Sequence, residues 1–179
     1  SVFSDGAAIR ERFENPIDRS ATFETYVEGE SNQLARAAAV MVADNPGNRD
    51  FNPLYLYADT GLGKTHLIHA VANKMLAADQ SKRISYVRME KFVHSMVNSI
   101  RHNSMDQFKN YYRSRDVLLI DDIHMLAGKT HTQEEFFHLF NSLLESGQQL
   151  ILTCDKYPTE IQDLEDRLKS RLISGMTVA

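Results

Sequence analysis

A glycine-containing loop set between an apolar run and a helical pattern constrains this chain more than any other feature. The loop is Ala58-Asp59-Thr60-Gly61-Leu62-Gly63-Lys64-Thr65; Pro53-Leu54-Tyr55-Leu56-Tyr57 precedes it and His66 to Leu76 follows. Strand, loop and helix in that order place backbone N–H groups and the positive end of a helix dipole around an anion. Gly61 and Gly63 let the backbone approach phosphates closely. Lys64 supplies a point charge for the β- and γ-phosphate oxygens, and Thr65 a hydroxyl for Mg²⁺. Ala58 stands where this loop pattern has its first glycine, which an alanine can fill if its φ stays negative.

The other half of such a site lies at Val117-Leu118-Leu119-Ile120-Asp121-Asp122. Four apolar residues ending in two carboxylates describe a buried parallel strand that delivers acids to its C-terminal end, where open α/β sheets bind ligands. Asp121 is placed to hold the Mg²⁺ shell and Asp122 to orient or deprotonate an attacking water. Alone, the two acids read as a solvated strand exit. Following the phosphate loop in the correct order, they read as the acid half of a nucleoside triphosphate site.

The runs Leu54 to Tyr57, Ile84 to Val87, Val117 to Ile120 and Leu150 to Thr153 predict parallel strands, with Met176-Thr177-Val178 as a fifth. Helical stretches between them predict an α/β fold, a five-stranded parallel sheet flanked by helices. Two amphipathic segments, one carrying Phe92, Val93, Met96, Val97 and Ile100 and the other Met105, Phe108, Tyr111 and Tyr112, form a helix pair inserted between the second and third strands. For most of those residues core packing is the simpler reading. A helix ending near Ala43 precedes the turn cluster at Asn45, and Thr132 with Glu135 predicts a capping box opening a helix over Gln133 to Ser146, closed by Gly147. Residues 1–20 show no periodicity and read as a leader or linker.

At 179 residues with 42% hydrophobic and 25% charged, the chain supports one domain with a substantial core. The net charge of −4 argues against a broad duplex-binding face, so nucleic-acid contact must be local. No run is long enough for a membrane span, and the lone Cys154 suits a reducing cytoplasm. Seven histidines are present, but His66 and His69 lack the accompanying spacing of a metal motif, and no histidine–metal site is assigned.

From about Ala21 onward these motifs resemble the AAA+ core of the bacterial replication initiators, the DnaA family. The resemblance rests on Thr22-Phe23, Gly29-Glu30-Ser31-Asn32-Gln33-Leu34-Ala35, Gly61 to His66, Leu119 to Ile123, Gln133 to Phe137 and Glu165 to Arg171. It implies an AAA+ P-loop NTPase that binds ATP or ADP with Mg²⁺ through Val27, Asn32, Gly61, Leu62, Gly63, Lys64, Thr65 and His66. Asp121 joins Thr65 at the metal. Asp122, Asp155 at sensor 1 and the arginine finger Arg171 serve hydrolysis. Val97 and Lys129 line a single-stranded DNA path, and Arg113, Arg167 and Arg171 lie between subunits.

The function implied is ATP-dependent assembly into a helical oligomer that opens origin DNA, in the cytoplasm at the nucleoid, with replicative helicase machinery as a partner. Slow hydrolysis is expected, since Asp122 is one methylene shorter than the usual glutamate. A helicase loader or regulatory relative is the alternative, and an interaction module with an inactive nucleotide site a third. Residues 21–179 correspond to the α/β core; the helical lid and the duplex-reading C-terminal domain of the family lie outside this sequence, so hydrolysis by the chain is expected to be impaired. Ala58 and Asp59 replace two common glycines, and His131 stands where an arginine would aid strand binding.

Overall fold

The computed structural model describes residues 2–59 and 63–179. Five strands form one parallel sheet: β1 (Leu54–Tyr57), β2 (Ile84–Arg88), β3 (Val117–Asp121), β4 (Gln149–Cys154) and β5 (Met176–Val178). Their order across the sheet is β2-β3-β4-β1-β5, with all four pairings parallel. Period-two alternation divides β1 to β4 between two cores, which is why these strands read as apolar runs. Tyr55, Leu118, Ile120, Leu150 and Leu152 face one core, and Leu54, Leu56, Leu119 and Ile151 the other.

Helices α2 (Gln33–Asp44) and α3 (Lys64–Ala78) cover the second core. The first is covered by α4 (Met89–Arg101), α5 (Met105–Arg113), α6 (Thr130–Glu145) and α7 (Asp166–Leu172). The inserted pair is α4 and α5. Phe92, Met96, Phe108 and Tyr112 are buried in it, with Phe92 and Phe108 edge-to-face at 5.1 Å, so packing does account for most of its apolar residues.

Two expectations need correction. Residues 1–20 are not irregular throughout: α1 (Val2–Phe13) precedes the sheet, and Phe13 is wholly buried against Phe108 and Tyr112. Tyr112 Oη donates to Phe13 O at 2.6 Å, and Asn15 N donates to Tyr86 O at 2.8 Å, so this segment covers the open edge of β2. The reading failed because one aromatic anchor leaves no periodic trace.

The capping box also fails. Helix α6 begins at Thr130 with Lys129 as its N-cap, Thr132 is buried inside the first turn, and Glu135 lies 3.8 Å from Lys109 instead. The C-terminus is as expected. Gly147, at φ +81°, lets its own N–H reach Leu144 O and that of Gln148 reach Leu143 O, both at 3.1 Å.

Candidate nucleotide site

The strand order explains how distant motifs meet. Helix α3 starts immediately after the loop that leaves β1, while Asp121 ends β3; β4 runs between those two strands. Its Thr153 therefore lies beside Asp121. Gly63 occupies the position ahead of α3 at φ +85°, a conformation that glycine adopts without the Cβ penalty. A Cβ there would also come within 2.8 Å of Tyr26 Cε2, so the aromatic ring packs directly on the loop's exit. Gly61 and Leu62, assigned to phosphate binding, lie outside the described residues, as does Thr60.

Asp121 is the centre of the arrangement and is only 2% exposed. Thr65 Oγ1 and Tyr86 Oη both donate to its Oδ2 at 2.8 Å, and Thr153 Oγ1 donates to Oδ1. Three hydroxyl donors fix a buried carboxylate whose desolvation they offset. Sequence reasoning found Thr65 and missed Tyr86 and Thr153. A polar residue closing an otherwise apolar strand was the available signal for Thr153. Tyr86 carried none, because a tyrosine in a strand reads as packing.

Asp122 follows in the left-handed region at φ +63°, its N–H donating to Thr153 Oγ1 at 3.1 Å. Burial, reinforced by the Asp121 charge, raises its pKa above the usual carboxylate range; His124, Arg88 and Lys64 partly offset this. Asp121 is thus held by three hydroxyls, whereas the half-buried Asp122 turns out of the strand at a left-handed backbone. Lys64 Nζ donates to Ala58 O and, at 3.3 Å, to Asp59 O, which holds the ammonium over the loop.

Tyr26, Asn32, Ala58 and Lys64 line a narrow cavity between α2 and the loop. Asn32 shapes its rim: Oδ1 accepts from Gly29 N at 2.8 Å and Nδ2 donates to Val27 O at 3.2 Å. Val27, expected near the base, is 85% exposed, whereas its neighbour Tyr26 reaches the loop. The His66 ring is occupied elsewhere, with Nε2 2.7 Å from Thr22 O, and so fastens the N-terminal segment to α3.

The remaining predicted residues do not converge on this centre. Asp155 follows β4, at the same end of the sheet, with its Oδ1 3.7 Å from His124 Nδ1. Arg171 lies at the opposite end. Its Nε donates to Asn141, and it borders a cavity of about 380 Å³ with Gly47, Asn52 and Gly147, residues that precede β1 and β4. Arg167 stacks on Phe137 at 4.4 Å, so both arginines do share one face of α7, laid against α6. Arg113 and Lys129 are exposed, while Val97 is partly buried against the core.

No helix among the described residues is long and apolar enough to cross a membrane. The bacterial DnaA ATPase domain matches residues 17–179. Domain III of the Thermotoga maritima replication initiation protein DnaA is 38% identical, with a TM-score of 0.88; 92% of this chain and 68% of that one are covered. A replication initiator DnaA bound to AMPPCP and single-stranded DNA is 36% identical over 92% of this chain and half of its own length, with a TM-score of 0.85. AMPPCP-bound DnaA from Aquifex aeolicus aligns equally well, over 51% of its length. The DnaC helicase loader shares the fold at 14% identity and a TM-score of 0.75, a more distant likeness. A family match over nearly the whole chain, with the helix that follows the phosphate-loop motif joined to the acid strand through Thr65 and Asp121, shows that this chain belongs to the bacterial DnaA ATPase domain family.

Proposed function

We propose that this domain is the ATP-dependent assembly unit of a replication initiator, with one nucleotide site shared between two subunits. The 2.8 Å bond between Thr65 Oγ1 and Asp121 Oδ2 carries the reading, because it brings the phosphate-loop helix and the acid strand to one point. Those two oxygens are a hydroxyl and a carboxylate, the hard donors that Mg²⁺ prefers, and they fit it. The ion would draw negative charge from the β- and γ-phosphates.

The chain's own residues do the rest. Lys64 carries a cation on the loop, available to phosphate oxygens. Asp122, half-buried beside Asp121, orients the water for attack. Its short side chain favours slow turnover, so bound ATP acts as a lasting switch. Asp155 senses the γ-phosphate from the same end of the sheet.

Arg171 sits at the far end, beyond reach of Lys64 in its own subunit, and serves the site of a neighbour. An arginine that meets a γ-phosphate across an interface makes assembly sense ATP over ADP. Arg167 and Arg113 extend that contact. Val97 and Lys129 offer local strand contacts consistent with the acidic net charge; the match to a DnaA that holds AMPPCP and single-stranded DNA supports this. Duplex origin reading and helicase recruitment belong to the longer cytoplasmic protein.

The test is sedimentation on a single-stranded oligonucleotide with ATP or ADP. The parent protein should assemble with ATP only, Lys64→Ala with neither. Arg171→Ala should bind ATP normally and fail to assemble. Assembly independent of nucleotide would overturn the reading.

A further inference from the structure

Beside the nucleotide site, a second group of side chains has a different chemistry. His124 lies in the short turn Ile123–Leu126 after β3, Cys154 is the last residue of β4, and Asp155 follows it. An imidazole nitrogen, the Sγ and a carboxylate oxygen, one from each, all fall within 4.8 Å of one another, and no other such group of three or more occurs among the described residues. We propose that these three residues form a binding site for a borderline-soft divalent cation of the zinc type.

The distances carry the argument. Tetrahedral zinc, with bonds of about 2.0–2.3 Å, sets its ligand atoms about 3.3–3.6 Å apart. Cys154 Sγ and Asp155 Oδ1 are 3.6 Å apart, and His124 Nδ1 and Asp155 Oδ1 are 3.7 Å apart. Two of the three edges of the ligand triangle are therefore in place, and the third is no longer than 4.8 Å. His124 Nδ1 is moreover a buried nitrogen with no hydrogen-bond partner, aimed into the group. An orphaned imidazole nitrogen is costly unless something fills its lone pair.

The donor set selects the ion. A thiolate and an imidazole favour zinc-like cations over Mg²⁺, which prefers oxygen alone, so this site and the Thr65–Asp121 pair do not compete for one metal. Binding converts the Cys154 thiol to a thiolate and releases its proton to solvent. Tyr55 Oη donates to Lys156 O at 2.8 Å, just past the cysteine. His124 and Asp155 are each 37% exposed, which leaves a fourth position open to water or an anionic oxygen. Asp155 is also the proposed sensor of the γ-phosphate, so the ion and the nucleotide would draw on one carboxylate.

Cobalt titration of the reduced protein tests the proposal, with Mg²⁺ in excess to saturate the oxygen site. One equivalent of Co²⁺ should give thiolate-to-cobalt charge-transfer absorption and intense tetrahedral bands, both lost on adding Zn²⁺, with about one proton released. His124→Gln should weaken binding at least about tenfold, since losing a ligand costs no less than losing a ligand's support. Cys154→Ser should abolish the charge-transfer band. Absence of that band in the parent, or unchanged affinity in folded His124→Gln, would overturn the proposal, as would its survival in Cys154→Ser. His124 is partly exposed, so its variant keeps the test decisive even if Cys154→Ser does not fold.

Discussion

Replacing Thr153 by valine removes one hydroxyl and leaves shape and volume nearly unchanged, yet it should cost more than any other single-atom change around Asp121. Thr153 Oγ1 does two jobs: it donates to Asp121 Oδ1 and accepts from Asp122 N at 3.1 Å. A hydrogen bond to a charged group is worth about 1.5–3 kcal/mol, and an unpaired buried N–H adds about 1 kcal/mol or more. Asp122 is only half-buried, so water relieves part of the second loss. The expected destabilisation is roughly 2–4 kcal/mol, which for a domain of this size lowers Tm by roughly 5–15 °C. Tyr86→Phe should cost less, about 1–2 kcal/mol, because Thr65 still donates to the same Oδ2. Urea denaturation of the parent and both variants gives the ordering directly. A Thr153→Val unfolding free energy within about 0.5 kcal/mol of the parent, or a larger loss for Tyr86→Phe, would refute the idea that these hydroxyls hold the carboxylate.

Asp122 binds its proton more tightly when folded, because burial and Asp121 raise its pKa, so its contribution to stability is present at acid pH and lost as pH rises through the folded value. Asp122→Asn should therefore be more stable than the parent at pH 7, with the gap closing below the ordinary carboxylate range, and should lose hydrolysis; thermal melts across pH check this. Gly63→Ala should cost about 1–3 kcal/mol, part from φ +85° and part from Tyr26, and adding Tyr26→Ala should recover only the steric share in a double-mutant cycle. Lys129→Ala should weaken single-strand binding and flatten its salt dependence without altering ATP affinity, read by fluorescence anisotropy at several ionic strengths.

The sheet was legible because its strands are buried on both faces and so appear as unbroken apolar runs. Val117 to Ile120 and Leu54 to Tyr57 needed almost no adjustment, and the fifth strand lies at Met176–Val178 as expected. The loop and acid strand were legible for a chemical reason, since few residue types can hold phosphate and metal. The hydroxyl donors on Asp121 were not, because Tyr86 and Thr153 reach it only once β3 lies beside β2 on one side and β4 on the other. Helix α1 escaped notice because Phe13 is its one buried side chain among those described. Thr132 misled because a threonine three residues ahead of a glutamate fits a cap equally well when it lies inside the helix.

The central claim is a nucleotide site divided between subunits, and a mixing experiment in the intact initiator that carries this domain tests it most directly. Lys64→Ala disables the phosphate side and Arg171→Ala the side offered to a neighbour. Each variant alone should lack ATP-dependent assembly on single-stranded DNA. Mixed, they form some interfaces in which an intact Lys64 meets an intact Arg171, and partial ATP hydrolysis should return at those interfaces. A mixture as inactive as its components, although both subunits are found in one complex, would contradict a shared site; so would full ATP-dependent assembly by Arg171→Ala alone.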